Sequence, residues 1–315
     1  MHPIDRAASW LFRFGPSSLK VFSDGWGDEA RLTALDTRVD LGPPPNVTID
    51  WAADTAGEGF TVRDGSFPSP AEHLPPASHT AAVRMISPNE PDGRLVVMMA
   101  AWNDHGYDTR TGLATLLAHR GITSVMLENP FYGRRRTGSG QPIRTVADFG
   151  VMGRAAVEEG RALLARFADE YRVGVTGYSM GGNIAALIGA LSADGTAIAA
   201  LAASHSPGPV WLDGFIRHVV DWEALGGPET APRLRSELGK ATVLSVTRRP
   251  HTAKAIIVGA TDDGYIPRRA VDDLHAHWPG SQLRWIKAGH ATMIWRHKPA
   301  LVDAIVASFD RVAGE

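Results

Sequence analysis

Short apolar runs alternate with longer amphipathic stretches from about His79 to the end of the chain. Seven of these runs have the length and composition of strands that are covered on both faces. They are Ala81–Ile86, Leu95–Ala101, Ile122–Leu127, Val173–Thr176, Ala197–Ala203, Ala255–Val258 and Leu283–Ile286. Strands that alternate with helices predict an α/β protein with a doubly wound, mostly parallel sheet.

Two stretches have the spacing of apolar side chains that gives a helix one apolar face. They are Thr145–Phe167 and Leu301–Val312. The region Trp211–Arg249 departs from the alternation, because its helical parts, Trp211–Leu225 and Ala231–Leu238, have no evident strand between them. We therefore expect a small helical cap at about residues 207–249.

The beginning of the chain has a different composition. Residues 1–78 are rich in Pro, Gly and Asp, with turn-rich stretches at Leu41–Pro45 and Phe67–Pro76 and few long periodic runs. We expect these residues to form an N-terminal extension that wraps the core. The α/β domain would then span residues 79–315.

The composition excludes several classes of function. The chain has 315 residues, no cysteine, a formal net charge of -2 and a pI of about 6.6. The lack of cysteine excludes disulfides, thiolate metal sites and a cysteine nucleophile. Because no basic field covers the molecule, no nucleic-acid partner is expected. The sequence contains no phosphate-binding loop, dinucleotide fingerprint or metal-ligand cluster, so it predicts no cofactor and no metal.

The apolar runs are too short for a membrane span. The longest, such as Leu95–Ala101 and Thr196–Ala203, fall well below the roughly 20 residues that a transmembrane helix needs. An apolar patch at Ala7–Phe14 is interrupted by Arg13, and no small-residue cleavage site follows it. We expect a protein without a transmembrane segment or export signal, located in the cytoplasm.

The clearest chemical motif is Gly177-Tyr178-Ser179-Met180-Gly181-Gly182, between a strand-like run and a helical one. A serine on such a tight turn holds a strained backbone, so the residues two before and two after it must be small. The turn directs the Met180 amide toward an oxyanion that forms on a carbonyl at Ser179. The motif indicates a nucleophilic serine; the alternative is a chance match in a chain with 33 glycines.

A nucleophilic serine needs a general base, and the base needs an acid to orient it. His290 follows the run Leu283–Ile286 and Gly289 and precedes the last helix. It is therefore expected at the edge of the sheet where Ser179 emerges, which is where open α/β sheets place ligands. We predict that His290 is the base.

Two adjacent aspartates follow the run Ala255–Val258 and could supply the acid. In the common pattern of enzymes that use a serine, a histidine base and an acid, the acid stands four residues before a proline. Pro267 stands four residues after Asp263, so this pattern selects Asp263. Asp262 would be a solvated neighbour or a helix cap. We predict Asp263 and keep Asp262 as the alternative.

The loop after Leu95–Ala101 is expected to complete the site. Such loops usually supply a second oxyanion-binding amide, and by register Trp102 is the candidate donor. Asn103 could instead offer its side-chain amide and contact the substrate. Asp104 and His105 precede the serine in the chain, so we expect them to shape the pocket and not to act as a second base.

Three further features carry weaker indications. Tyr178, beside the serine, and His205, after the run Ala197–Ala203, are expected to line the substrate pocket. The run Arg134–Arg136 is either a solvated face, as most charge runs are, or a handle for an anionic group of the substrate.

Several strings of the sequence resemble a single family. Besides the serine motif they are Leu127–Gly133, Val146–Gly153, Asp263–Arg268, Trp278–Gly280 and Gly289-His290. They are similar to the family of α/β-hydrolase domain-containing protein 18, and the resemblance spans nearly the whole chain. It implies an α/β-hydrolase fold with a serine, aspartate and histidine triad. It also supports Asp263, because the family's acid is followed by a Tyr, an apolar residue and Pro-Arg.

Together these features predict an α/β-hydrolase that cleaves a carboxylic ester through an acyl-enzyme at Ser179, with a small-molecule ester as its partner. A lipid-like ester is one candidate, since the aromatic residues of Trp211–Trp222 could line an apolar pocket beneath a cap. A peptidase or thioesterase with the same triad is an alternative. So is a non-catalytic binding protein on a hydrolase scaffold, although the apparently complete triad argues against it.

Overall fold

One mixed sheet forms the centre of the protein in a computed structural model that describes residues 1–14, 20–34 and 41–314. Its strands are β1 (Asp50–Trp51), β2 (Thr55–Ala56), β3 (Phe60–Pro68), β4 (Thr80–Pro88), β5 (Arg94–Met99), β6 (Thr123–Leu127), β7 (Arg172–Tyr178), β8 (Ala197–Leu201), β9 (Ile256–Ala260) and β10 (Gln282–Ile286). Across the sheet they run in the order β1, β3, β4, β6, β5, β7, β8, β9, β10, with β2 paired to β3. The seven predicted strands are confirmed as β4 to β10.

The strands from β6 to β10 in this order are parallel, whereas β4 joins β6 in an antiparallel pair. Since parallel strands share a carboxyl edge, the loops after β5, β7, β8, β9 and β10 emerge together. This edge carries the predicted chemical residues.

Helices cover both faces of the sheet. Within the described residues the α-helices are α1 (Pro3–Phe14), α2 (Glu29–Ala34), α3 (Asp108–Ala118), α4 (Val146–Phe167), α5 (Met180–Leu191), α6 (Pro207–Leu212), α7 (Ala231–Gly239), α8 (Arg268–His277), α9 (His290–Arg296) and α10 (Lys298–Ala313). Helices α4 and α5 pack on each other and on β5 and β7, while α3 and α10 form a second pair. The stripe predicted on the last helix is buried, with Leu301, Ile305 and Phe309 four residues apart. The doubly wound fold is therefore confirmed. None of the helices in the described ranges has both the length and the apolar character that a membrane span requires.

The chain before residue 79 contains strands that the sequence analysis did not predict. β1, β2 and β3 extend the sheet beyond β4 in antiparallel pairs. β3 was missed because Arg63, Asp64 and Gly65 interrupt its apolar positions, and β1 and β2 are only two residues long each. Residues 15–19 and 35–40 of the expected extension lie outside the described residues.

The segment 207–249 contains α6, α7 and several short 3₁₀ turns, with no strand among its residues, all of which are described. The helical part predicted at Trp211–Leu225 is not one helix, because α6 ends at Leu212 and a 3₁₀ turn follows at Phe215–Val219. Gly214 explains the break. A Cβ atom there would lie 2.1 Å from the carbonyl oxygen of Tyr265, so the chain turns where it touches that backbone.

A buried ion pair links the loop after β6 to helix α4. The guanidinium of Arg135 lies 2.6 Å from Glu159 on α4, and the side chains of both residues are at most 1% exposed. Arg135 also donates to the carbonyl oxygens of Ser78 and Glu128, so its charge is fully bonded. Its neighbours Arg134 and Arg136 are exposed, and Arg134 lies 3.3 Å from Asp64. The arginine run thus combines one structural residue with two surface residues.

We expect Arg135→Met to lower the free energy of unfolding by about 3–5 kcal/mol, because it leaves the carboxylate of Glu159 buried without its partner. The matched exposed variant Arg134→Met should change it by less than about 0.5 kcal/mol. Urea unfolding followed by tryptophan fluorescence measures both. Two equally small changes would show that the buried pair does not stabilise the fold.

Candidate active site

Ser179 lies on the turn between β7 and α5 with φ 59° and ψ −119°, a conformation that non-glycine residues rarely adopt. Backbone packing enforces it. A Cβ atom on Gly177 would lie 2.2 Å from the carbonyl oxygen of Gly181, and one on Gly181 would lie 2.4 Å from that of Met99. Side chains at either position would push the helix away from the strands, which is why both residues are glycine.

The side chains of Ser179, His290 and Asp263 form one continuous chain of contacts. Ser179 Oγ lies 2.9 Å from His290 Nε2, and His290 Nδ1 lies 2.7 Å from Asp263 Oδ2. Since a carboxylate can only accept, Nδ1 carries the proton and Nε2 accepts the hydroxyl proton of Ser179. The side chains of His290 and Asp263 are 9% and 6% exposed, so the pair lies largely out of water.

The structure brings Asp263, and not Asp262, to the histidine. Oδ1 of Asp263 accepts the backbone amides of Tyr265 and Ile266 at 2.8 and 2.9 Å, which leaves Oδ2 for the imidazole. The side chain of Asp262 is 44% exposed and lies beside Thr261. The carboxylate of Asp263 is thus held on both of its oxygens.

Two tyrosines surround His290. The ring of Tyr265 stacks on the imidazole at a centroid distance of 4.5 Å, and Tyr178 donates its hydroxyl proton to the carbonyl oxygen of His290. Burial, reinforced by the nearby charge of Asp263, raises the pKa of Tyr178 well above its usual value. Tyr178 therefore stays protonated and continues to donate to the backbone of His290.

A cavity of about 310 Å³ opens directly over Ser179. Its walls are largely apolar and come from the loop after β5, from α4 and α5 and from the segment 207–249. The lining residues include Trp102, Asn103, Phe149, Tyr178, Ser179, Met180, Asn183, Val210, Trp211, Ile216, Tyr265 and His290. The ring of Trp211 packs edge-on against Trp102 at 5.2 Å and Phe149 at 5.8 Å, so these three aromatic side chains form one rigid wall.

The predicted oxyanion donors, Met180 and Trp102, both line this cavity. Met180 is the first residue of α5, and Trp102 follows the end of β5. The contact of Gly181 with the carbonyl groups of Met99 and Ala100 places that strand end against the start of the helix.

A buried arginine that the sequence analysis missed holds the loop after β5. Arg110 donates to Asp104 at 2.7 Å and to the carbonyl oxygens of Met98, Leu127 and Gly106 at 2.7 to 2.8 Å. Both members of the pair are less than 5% exposed. Asp104 thus acts on the shape of the loop through this ion pair and is not directed at Ser179. No local pattern marks Arg110, which sits near the start of an ordinary helix.

The remaining predicted residues lie in different places. Asn103 lines the cavity with φ +59°, whereas His105 packs against the ring of Tyr132 at 5.2 Å. Burial, together with the charge of Arg136, lowers the pKa of His105. His205 was expected in the pocket but lies outside it, in a neighbouring depression where Nδ1 is 3.2 Å from Thr242 Oγ1. Its neighbours Ser204 and Ser206 line the cavity instead, and Ser206 borders the neighbouring depression as well.

Phe149 and Asn183 line the cavity but were not predicted, whereas Trp211 belongs to the aromatic stretch that was expected to line an apolar pocket. Asn183 stands one helical turn after Ser179 on α5, and this spacing would have indicated that both lie on one side of the helix. The amide of Asn183 donates to the carbonyl oxygen of Ser204 at 3.2 Å and so links α5 to the loop after β8.

In the part of the chain that the structure describes, no three His, Asp or Glu side chains are grouped as a metal site requires.

A mostly parallel sheet with a serine on a strand-to-helix turn, followed by an aspartate and a histidine after later strands, defines the α/β-hydrolase fold. Solved structures agree. Acetyl xylan esterase 1 from Thermoanaerobacterium sp. JW/SL YS485 is 15% identical with a TM-score of 0.63, and the match covers 93% of this chain and 97% of that one. The acetyl xylan esterase from Paenibacillus sp. R4 is 13% identical with a TM-score of 0.61, covering 92% and 98%. The S-formylglutathione hydrolase from Agrobacterium tumefaciens is 14% identical with a TM-score of 0.54, covering 85% and 100%. At these identities the likeness shows the shared fold.

The chain belongs to the family described as alpha/beta hydrolase domain containing 18, whose model matches residues 19–254 and 237–311. The resemblance noted in the sequence is confirmed over most of the chain. Helix α1 lies outside the matched residues.

Proposed function

We propose that this protein is a serine hydrolase that cleaves carboxylic esters through an acyl-enzyme on Ser179. The observation that carries the proposal is the chain of contacts from Ser179 to His290 at 2.9 Å and from His290 to Asp263 at 2.7 Å, opening into an apolar cavity. A hydroxyl becomes nucleophilic at neutral pH when a positioned base accepts its proton.

In the proposed reaction Ser179 Oγ attacks the ester carbonyl carbon while His290 Nε2 takes the hydroxyl proton. Asp263 stabilises the imidazolium and keeps Nδ1 protonated. His290 then gives the proton to the leaving alcohol as the carbon–oxygen bond breaks, which leaves Ser179 acylated. A water molecule, activated in turn by His290, hydrolyses the acyl-enzyme and restores the serine.

The amides of Met180 and Trp102 are the proposed donors to the oxyanion of each tetrahedral intermediate. Met180 is supported by its place at the first turn of α5, where amide groups point out of the helix. Trp102 is supported by the backbone contact that holds the end of β5 against the same turn. Donors fixed in this way need no rearrangement when charge develops on the carbonyl oxygen.

Ester cleavage is favoured over peptide cleavage by the apolar character of the cavity. The two acetyl xylan esterases with the same fold support the esterase hypothesis through their described activity. The wall formed by residues of 207–249 supports the interpretation of this segment as a small cap on the α/β domain. That domain also includes β1 to β3, which precede the expected boundary at residue 79. A thioesterase with the same triad remains the second candidate, since the same oxyanion would form.

The proposed substrate carries an apolar acyl chain. Beside the main cavity lies a smaller apolar chamber of about 50 Å³ between α4, α5 and α7. Phe149, Met180, Asn183 and Pro207 line both spaces, so the chamber continues the cavity away from Ser179. An acyl chain attached to Ser179 could extend along this path.

Fluorophosphonate labelling tests the nucleophile directly. The wild-type protein should be labelled at Ser179, because the reagent modifies only a serine whose hydroxyl is activated by a base. Ser179→Ala should abolish labelling, and His290→Ala should reduce turnover of a p-nitrophenyl ester by roughly 10⁶ in kcat while the far-UV circular dichroism stays unchanged. An unlabelled, folded wild-type protein would instead favour a non-catalytic binding function.

The two adjacent aspartates provide a matched comparison. Asp263→Asn should lower kcat by about 10⁴, because an asparagine cannot stabilise the imidazolium and favours the wrong tautomer. Asp262→Asn should lower kcat by less than about threefold, since its carboxylate is exposed and does not contact the histidine. Steady-state kinetics on a neutral ester decide between them, and the reverse order would assign the acid to Asp262.

A larger side chain on α4 would fill the smaller chamber, in which the acyl chain is proposed to lie. Gly153 on α4 borders the chamber, and a Cβ atom there would meet no other atom within 4 Å. Gly153→Met should therefore lower kcat/KM for p-nitrophenyl octanoate by about tenfold, the equivalent of nearly two buried methylene groups. The value for p-nitrophenyl acetate should be unchanged. Gly138→Met, in an exposed and open loop, is the control; an equal loss on both esters in Gly153→Met would exclude the chamber as an acyl site.

A further inference from the structure

Helix α1 places a fully buried carboxylate next to the candidate triad. Asp5 is 0% exposed, although it is 258 residues away in sequence from Asp263 and 285 from His290. A buried carboxylate is costly unless hydrogen bonds replace its lost water. The partners of Asp5 therefore indicate what it holds in place.

Those partners are backbone amides of the two loops that carry the acid and the base. Oδ2 of Asp5 accepts from the amide of His290 at 2.8 Å and from that of Gly264 at 3.1 Å, and Oδ1 lies 3.4 Å from the amide of Ala291. One carboxylate thus joins the residue after Asp263 to His290 itself. Charge-assisted bonds of this kind are stronger than bonds between neutral groups.

The first residues of the chain pack closely on these loops at two positions that are occupied by glycine. A Cβ atom on Gly289 would lie 2.3 Å from Cβ of His2, and one on Gly264 would lie 2.6 Å from Sδ of Met1. The amide of His2 also donates to the carbonyl oxygen of Asp262 at 2.9 Å. The glycines beside the acid and the base therefore leave room for the start of the chain.

The backbone of His290 is held at both ends. Asp5 accepts its N–H, and Tyr178 donates to its carbonyl oxygen. With both groups fixed, the direction of the Cα–Cβ bond is set, and with it the position of the imidazole between Asp263 and Ser179. Side chains that reach the backbone of a catalytic residue in this way control its geometry without touching the substrate.

We infer that Asp5 is a positioning residue, which ties the Asp263 loop to His290 and holds the imidazole in line with Ser179. The inference deepens the proposed function and rests on it, since it assumes that His290 and Asp263 act on Ser179. It does not follow from family membership, because α1 precedes the residues that the family model matches.

The inference predicts an effect on turnover and not on substrate binding, because Asp5 does not line the cavity. A displacement of about 1 Å in a catalytic group can cost on the order of 10²-fold in rate. Asp5→Ala should lower kcat and the rate of fluorophosphonate labelling by about 10- to 100-fold, with KM for a small neutral ester unchanged. Asp5→Asn keeps one acceptor oxygen for the amides of His290 and Gly264, so its loss should be smaller.

The experiment uses the full chain with ¹⁵N-labelled histidine, and His290→Ala assigns the ring signals of His290. Asp5→Ala, Asp5→Asn and the exposed same-helix control Arg6→Ala are compared for labelling rate, kcat, KM and the ¹⁵N shifts of the His290 ring. Thermal unfolding identifies the variants that fold. Slower labelling and altered ring shifts in a folded Asp5→Ala protein, with Arg6→Ala like the wild type, would support the inference.

An unchanged labelling rate in folded Asp5→Ala overturns the inference, whatever the ring shifts show. If Asp5→Ala does not fold, the same comparison on folded Asp5→Asn decides. If the wild-type protein itself is not labelled, the proposed function fails, and the ring shifts alone then decide whether Asp5 positions His290. Unchanged shifts in that case overturn the positioning role as well.

Discussion

The site depends on one close approach between backbones, where helix α5 begins against the end of strand β5. No side chain fits between them, since a Cβ atom on Gly181 would lie 2.4 Å from the carbonyl oxygen of Met99. This contact forces Ser179 into its unusual conformation and raises its hydroxyl above the sheet edge. It also brings the loop after β5 next to the first amides of α5. A strained residue of this kind persists only when its surroundings over-determine it, so the neighbouring loops must be rigid as well.

Buried charges supply that rigidity. Arg110 is bonded to Asp104 and to three carbonyl oxygens, and so fixes the loop after β5 relative to β5 and β6. Asp5 carries the opposite, negative charge, and its carboxylate accepts hydrogen bonds from backbone amides of the loops after β9 and β10. A buried charge with unsatisfied bonding positions is costly, so few arrangements of these loops are compatible with either residue. The need to satisfy each buried charge therefore restricts the positions of the loops at the sheet edge.

Local patterns made much of the fold predictable. The strands β5 to β9 are largely buried and mostly apolar because both of their faces are covered. Helix α10 shows its buried stripe at four-residue spacing. The four-residue spacing to Pro267 selected Asp263, and the carboxylate of Asp263 does contact His290. β3 was missed because its residues are mostly half-buried and Arg63, Asp64 and Gly65 interrupt its apolar positions. Asp5 was missed for a different reason: its partners are backbone amides distant in sequence, which leave no trace in the local pattern. Arg110 was missed because the sequence does not show that its side chain turns back onto Asp104 and three carbonyl oxygens. His205 was misplaced because periodicity identifies a strand end but not the direction of each side chain in the loop that follows.

The chemistry and the choice of substrate rest on different parts of the chain. Ser179, Asp263 and His290 stand at the ends of β7, β9 and β10, whose positions are set by the sheet and by buried charges. The cavity walls come from α4 and from the segment 207–249, which contact the sheet edge mainly through side chains such as Phe149 and Trp211. A change in those side chains alters the volume and polarity around an acyl group without moving the hydroxyl, the imidazole or the carboxylate. Because connecting segments on the surface vary more readily than the elements that they join, the proposed substrate preference can change while Ser179, Asp263 and His290 keep their geometry.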